Sequence, residues 1–137
     1  MEVGWFSDKI YPANKEVFYG FTTGRRYGKK EAVYAASVAA ANEYGGGNRP
    51  PRPFMRDVVR KHQKDWRDKL YVMLNDNPNL KRAFKHLGAD IVEEIHDTIA
   101  KWTNPPNSPT TIKIKGFNNP LVDSGRMMDD FLDMRIK

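Results

Sequence analysis

The chain contains no cysteine, which excludes a disulfide framework and a thiolate zinc site and leaves stability to packing or assembly. No stretch approaches the ~18 consecutive apolar residues of a membrane-spanning helix. The opening Met1-Glu2-Val3-Gly4-Trp5-Phe6 has no basic segment followed by an apolar one, so the sequence predicts a soluble protein, cytoplasmic when made, with no membrane partner. Internal repeats and low-complexity tracts are missing as well.

What is present fits one domain spanning residues 1–137. A chain of 137 residues, 39% hydrophobic and 29% charged, should bury roughly two-thirds of its unfolded surface around a single core. Lys and Arg number 23 against 17 Asp and Glu, a net charge of +6, which permits an anionic partner without requiring one.

Val3, Trp5 and Phe6 around Gly4 suggest a short strand, Tyr11-Pro12-Ala13-Asn14 a turn, and Val17, Phe18, Tyr19 and Phe21 a second strand between Glu16 and Phe21. Gly24 to Lys30 reads as an exposed basic loop. Between Lys30 and Tyr44, Ala32, Val33, Ala36, Ala39 and Ala40 recur at helical spacing, and Gly45 is placed to end the helix. Gly45-Gly46-Gly47-Asn48 then reads as a flexible link, and Pro50, Pro51 and Pro53 impose an extended path up to a helix starting near Phe54.

That second helix carries Met55, Val58, Val59, Trp66, Leu70, Met73 and Leu74 broadly on one face and ends at Asn75-Asp76-Asn77-Pro78. A third helix has the cleanest period in the chain, with Leu80, Phe84, Leu87, Ile91, Ile95, Ile99 and Trp102 recurring every three or four residues. Asn104 to Pro109 is irregular. Thr111-Ile112-Lys113-Ile114-Lys115 alternates as a half-buried strand does. Asp123 or Ser124 can cap a short helix containing Met127, Met128 and Phe131, and Leu132 to Ile136 alternates into a closing strand. The expected fold class is therefore α+β: a small, mostly antiparallel sheet packed against the one long third helix, with additional shorter helices and with the terminal strands paired to each other.

Residues capable of chemistry are scattered. Glu93 and His96 form one Glu-x-x-His spacing, where a di-iron bundle needs two and further glutamates. His62, His86 and His96 have no i, i+4 partner of the kind a helical zinc site uses. Ser124 lacks the G-x-S-x-G context of a hydrolase nucleophile and reads as a cap, and Gly45-Gly46-Gly47 has no following Gly-Lys-Ser/Thr. The expectation is a non-enzyme with no cofactor and no metal.

Charge is distributed unevenly. Residues 49–78 hold eight basic side chains, Arg49, Arg52, Arg56, Arg60, Lys61, Lys64, Arg67 and Lys69, against four aspartates. Arg25, Arg26, Lys29 and Lys30 form a second cluster around Tyr27 that can contact phosphates of DNA or an acidic partner, or remain a solvated loop. Lys81, Arg82 and Lys85 lie in the first turns of the third helix, where the macrodipole disfavours cations, a placement that points to an external acidic partner.

Read in order, these pieces form a set: a Val-Gly opening strand, an alanine-rich helix closing in Asn42-Glu43-Tyr44-Gly45, Pro50-Pro51-Arg52-Pro53-Phe54 leading into a helix with Arg56, a long Gly-containing helix, Pro106-Asn107-Ser108-Pro109-x-Thr111-Ile112, and Pro120-Leu121-Val122-Asp123-Ser124-Gly125. The set resembles the small tail-completion and neck proteins of tailed bacteriophages, over about Glu2 to Ile136. The resemblance implies a virion protein at the neck or proximal tail end. It would be a non-enzymatic ring around the DNA channel, a hexamer or a multiple of one, contacting head-completion, tail-terminator or tail-tube proteins and the passing genome.

The resemblance also implies an assembly interface at Pro50, Pro51, Arg52, Pro53, Phe54, Arg56, Pro106, Asn107, Ser108, Pro109, Leu121, Asp123 and Gly125. Arg52 and Arg56 can fork onto carboxylates of a neighbour, and prolines stiffen arms before docking. Residues 17–30 are longer than the family pattern and are read as an inserted hairpin, and Ser124 replaces the usual threonine. The alternative is a free, basic nucleic-acid-binding protein using Arg25, Arg26 and the face from Arg52 to Lys69.

Overall fold

Proline and asparagine set the limits of the long elements in the computed structural model, which describes residues 1–4, 6, 10–11, 18–19, 26–27, 33–122, 126–129 and 132–136. Along these the order is β1 (Glu2–Gly4), β2 (Ile10–Tyr11), β3 (Phe18–Tyr19), β4 (Arg26–Tyr27), β5 (Val33–Tyr34), α1 (Ala35–Tyr44), α2 (Phe54–Asp76), α3 (Leu80–Lys101), α4 (Pro109–Lys115), α5 (Arg126–Asp129) and β6 (Asp133–Arg135). Pro53 stands immediately before α2. Asn79 caps α3, its side chain accepting from the Arg82 amide.

The expected α+β fold class is not what forms. The described chain is mostly helical, α2 and α3 alone being 23 and 22 residues long, and its strands pair only two by two: β1 with β6, β2 with β5 and β3 with β4. Strands of two or three residues satisfy a few backbone groups but offer no face wide enough to make a layer. The core is accordingly helical. Ala35, Val38 and Ala39 of α1, Phe54 and Val58 of α2, and Ile95 and Ile99 of α3 form it with Leu121, Met127 and Leu132. The third helix buries the Leu87, Ile95 and Ile99 positions of its stripe, while Leu80 at its start remains 51% exposed.

The paired terminal segments do meet, in antiparallel register from Glu2↔Arg135 to Gly4↔Asp133. They lie close over α3 at Gly88, where a Cβ would stand 2.6 Å from Met134 Cγ and 2.8 Å from Met1 Sδ. The absent side chain leaves room for both methionines.

Four local expectations are also overturned. Thr111 to Lys115 is helix, not strand: Ser108 Oγ accepts from the Thr111 amide at 3.2 Å, Pro109 occupies the first turn, and Gly116 ends α4 in a left-handed conformation, φ 78°. End signals of this strength decide a seven-residue segment over a five-residue alternation. The alanine-rich helix begins at Ala35, later than Lys30, because Tyr11 and Ile10 pair with Val33 and Tyr34. Arg26 and Tyr27 of the expected basic loop are strand, opposite Tyr19 and Phe18.

The glycine link, finally, is a closed turn, with Gly46 and Arg49 exchanging both backbone hydrogen bonds at 3.0–3.1 Å. Gly45 makes it possible: at φ 71° its missing Cβ would fall 2.7 Å from the Arg49 carbonyl oxygen and 2.8 Å from the Pro51 nitrogen.

Candidate functional site

The segments that carry the resemblance converge. Around the Gly45 turn the chain folds back so that the Arg52 amide donates to the Asn42 carbonyl at 2.7 Å and the Phe54 amide to the Arg52 carbonyl at 2.8 Å. Asn42 is buried and anchors its own helix, Nδ2 donating to the Val38 carbonyl at 3.0 Å.

Beside it, buried Glu43 solves a problem that Pro53 creates. Pro53 gives α2 no side-chain cap, and the first amides of any helix lack intrahelical acceptors. The Glu43 carboxylate supplies them from α1, accepting from the Met55 amide at 2.9 Å and the Arg56 amide at 3.3 Å. A carboxylate at a helix N-terminus is also favoured by the macrodipole. Arg56 completes the arrangement, donating through Nε to Glu43 Oε1 at 2.7 Å and through Nη2 to the Glu43 carbonyl at 3.1 Å. Since the Arg56 side chain is 62% exposed, this ion pair contributes at most about 1 kcal/mol. The stronger contribution is the capping, roughly 0.5–2 kcal/mol.

Arg52 closes the same region from the other direction. Arg52 as a residue is only 6% exposed, and its guanidinium donates to the Pro105 carbonyl at 3.1 Å and the Pro106 carbonyl at 3.2 Å. Burial lowers its pKa from the ordinary arginine value, yet a guanidinium stays charged at neutral pH. Asn107 follows, its amide donating to Asn118 Oδ1 at 3.1 Å and its Nδ2 to the Asn119 carbonyl at 3.2 Å, and Ser108 and Pro109 begin α4. Asn119 fastens this turn to α3: its Nδ2 donates to the Ile99 and Ala100 carbonyls at 3.2 and 2.6 Å, and its Oδ1 accepts from the Leu121 and Val122 amides at 3.0 and 3.1 Å. Leu121 is core.

Within the chain the Arg52 guanidinium is engaged by the Pro105 and Pro106 carbonyls, whereas Arg56, though bonded to Glu43, keeps a side chain that is largely exposed. Phe54 is fully buried, so its side chain is likewise committed internally. Pro50, Pro51, Pro106, Ser108 and Pro109 are exposed. Asp123 and Gly125 lie outside the described residues, as do Arg25, Lys29 and Lys30; Arg26 is described only as part of β4. Glu43 was the residue that sequence reasoning quoted without a role. The signal available was a carboxylate upstream of an uncapped Pro-Phe helix start, whose Met55 amide lies 12 positions later in sequence.

A second feature was not anticipated. Between α2 and α3 runs a cleft of about 690 Å³ whose walls include Asp57, Lys61, His62, Lys69, Glu93, Glu94, Asp97 and Trp102. Three lysines are already matched on it: Lys61 with Asp57 at 2.6 Å, Lys69 with Asp90 at 2.9 Å and Lys101 with Asp97 at 2.6 Å. Their lysine partners hold the carboxyl groups of Asp57 and Asp97 below the usual carboxylate range, and Asp90 raises Lys69. Glu94 takes the Trp66 indole N–H and faces His62 Nδ1 at 3.4 Å, with His62 stacked on Trp66. Glu93 is exposed. The cleft therefore carries two carboxylates in excess and suits a cationic group.

The remaining histidines are peripheral. His96 Nε2 meets Asp129 Oδ1 at 3.0 Å and His86 is exposed. Among the described residues no three His, Asp or Glu side chains converge as a metal site requires, and no helix is long and apolar enough to cross a membrane.

Compared with family models, with curated proteins and with solved structures, the chain gives no match.

Proposed function

We propose that this chain is a non-enzymatic structural protein of a tailed-bacteriophage virion, forming a ring around the DNA channel at the head–tail junction as a tail-completion or neck component. The observation that supports the reading is the convergence of the quoted motif residues. Asn42 and Glu43 bond to the stretch Pro50 to Arg56, and through Arg52 that stretch bonds to the Pro105 and Pro106 carbonyls, 53 and 54 positions away. A motif set that is consumed in fixing one backbone arrangement is what a scaffold defined by its shape requires. The stiff exposed prolines beside it are suited to docking at low ordering cost.

The test is the absolute mass of the purified protein by light scattering over a range of concentrations, alone and with a tail-tube protein encoded beside it. A closed ring, spontaneous or induced by that protein, is the expected result. A monomer indifferent to the tube protein would refute it.

The nucleic-acid alternative retains one observation of its own. Lys81, Arg82 and Lys85 are exposed at the start of α3 and have no carboxylate partner among the described residues. Duplex DNA binding by the monomer, falling steeply with added salt, would favour that reading.

A further inference from the structure

The outer end of the α2–α3 hairpin presents an unusual surface. Lys81, Arg82 and Lys85 stand in the first turns of α3, exposed and against the helix macrodipole, with Asp76 the one acidic residue in the turn beside them. Next to them Tyr71, Val72 and Leu80 are 70%, 65% and 51% exposed. The cations have no carboxylate partner among the described residues, and half or more of each apolar residue faces solvent. The last turns of the same helix carry the reverse, the cleft with Glu93 and Glu94 in excess over its internal ion pairs.

We infer that the occupant of the cleft is a second copy of this chain, whose Lys81, Arg82 and Lys85 enter it while Tyr71 and Leu80 close over its edge. The inference rests on the ring reading above and adds to it the contact that builds the ring. The argument is charge complementarity within one sequence: a patch with three unpaired cations and a cleft with two surplus carboxylates are found on opposite ends of one helix. A contact between two different patches of identical subunits is heterologous and repeats head to tail, closing into a ring when the rotation allows. A cleft of about 690 Å³ is within the range that admits more than one side chain. Because Lys81, Arg82, Lys85 and Glu93 are solvent-exposed, assembly should weaken with added salt.

Two charge-reversed forms of the full chain test this: Lys81→Glu/Arg82→Glu/Lys85→Glu, and Glu93→Lys. Each alters exposed side chains, and far-UV circular dichroism with a melting curve verifies that each is folded. Mass by sedimentation velocity should show wild type assembled and each variant alone at least tenfold weaker in self-association. Mixed in equal amounts, the two should recover part of the lost assembly, since the acidic tip then meets a cleft whose surplus negative charge is cancelled and the basic tip of the other variant still meets an acidic cleft. The single Glu93→Lys form tests the cleft alone should the triple variant not fold. Variants that assemble as wild type does would overturn the tip-to-cleft contact while leaving the ring standing. A wild type that stays monomeric at every concentration and with the tube protein would overturn the ring reading and this contact together. Loss of duplex DNA binding in the tip variant with self-association unchanged would assign the patch to nucleic acid and overturn the inference.

Discussion

The two ends of α2 differ in kind. In its first five residues Phe54 and Val58 are sealed at 0% and 1% exposure, and its leading amides are bound by a carboxylate from another helix. From Val59 to Asp76 no residue is buried, and Val59, Tyr71 and Val72 are exposed. One helix thus serves two purposes. Its start belongs to the fold, where removing an atom leaves a hole, and its remainder is a rod that carries charge outward on the support of α3.

Substitutions can break this contrast or sharpen it. The largest loss should come at the sealed end: Phe54→Ala is expected to cost about 3–5 kcal/mol in chemical denaturation, and a value near that of an exposed site would contradict the contrast. Gly45→Ala should follow at about 2–4 kcal/mol, because the new Cβ meets fixed backbone atoms in a left-handed conformation. Arg52→Met strands the Pro105 and Pro106 carbonyls and should cost about 1.5–3 kcal/mol, with amide hydrogen exchange rising selectively at Asn104, Asn107 and Ser108.

At the outer end, Tyr71→Ser and Val72→Ser should leave the melting midpoint almost unmoved, within about 0.5 kcal/mol, whatever they do to association. The smallest effect is in acid. Asp57 is held below the usual carboxylate range chiefly by its Lys61 hydrogen bond and then by Arg60, against an opposing effect of burial. A depressed folded-state pKa contributes stability that is present above the unfolded value and is lost as pH falls through the region below about 4. Asp57→Asn should therefore flatten the acid limb of stability by a fraction of a kcal/mol, measured as the melting midpoint from pH 6 to pH 2.5.

Much of the helical framework was legible in the sequence. The period from Leu80 to Trp102 and the Asn77-Pro78 break located α2 and α3 to within a residue or two, because burial on one face and proline chemistry are local signals. The meeting of the terminal strands followed from strand signals at both ends of the chain with helices between them. The sheet was over-read for the same reason: aromatic and β-branched residues at 3–6, 16–21 and 111–115 fit strands, but propensity says nothing of whether strands find enough neighbours to form a layer. At 111–115 the decisive signal was present in Ser108-Pro109 and Gly116 and was outweighed by alternation.

The internal bonding of Arg52 to the carbonyls of residues 105 and 106 was not legible. A guanidinium accepts partners anywhere in the chain, and nothing in the spacing states which. Its assignment to a neighbouring subunit was an inference from type alone.

Asn119 bears on how long such a protein lasts. Its amide holds the end of α3 to the following turn from both sides, donating to two carbonyls and accepting from two amides. Conversion to aspartate would point a negative oxygen at those carbonyls, at the helix end where the macrodipole is already negative. Asparagine ages to aspartate chiefly through a cyclic imide formed when the next residue's backbone nitrogen attacks the side chain. Here the next residue is Pro120, which has no backbone N–H to give up. The fastening at the end of α3 is thereby placed in a sequence context that resists this route of chemical ageing.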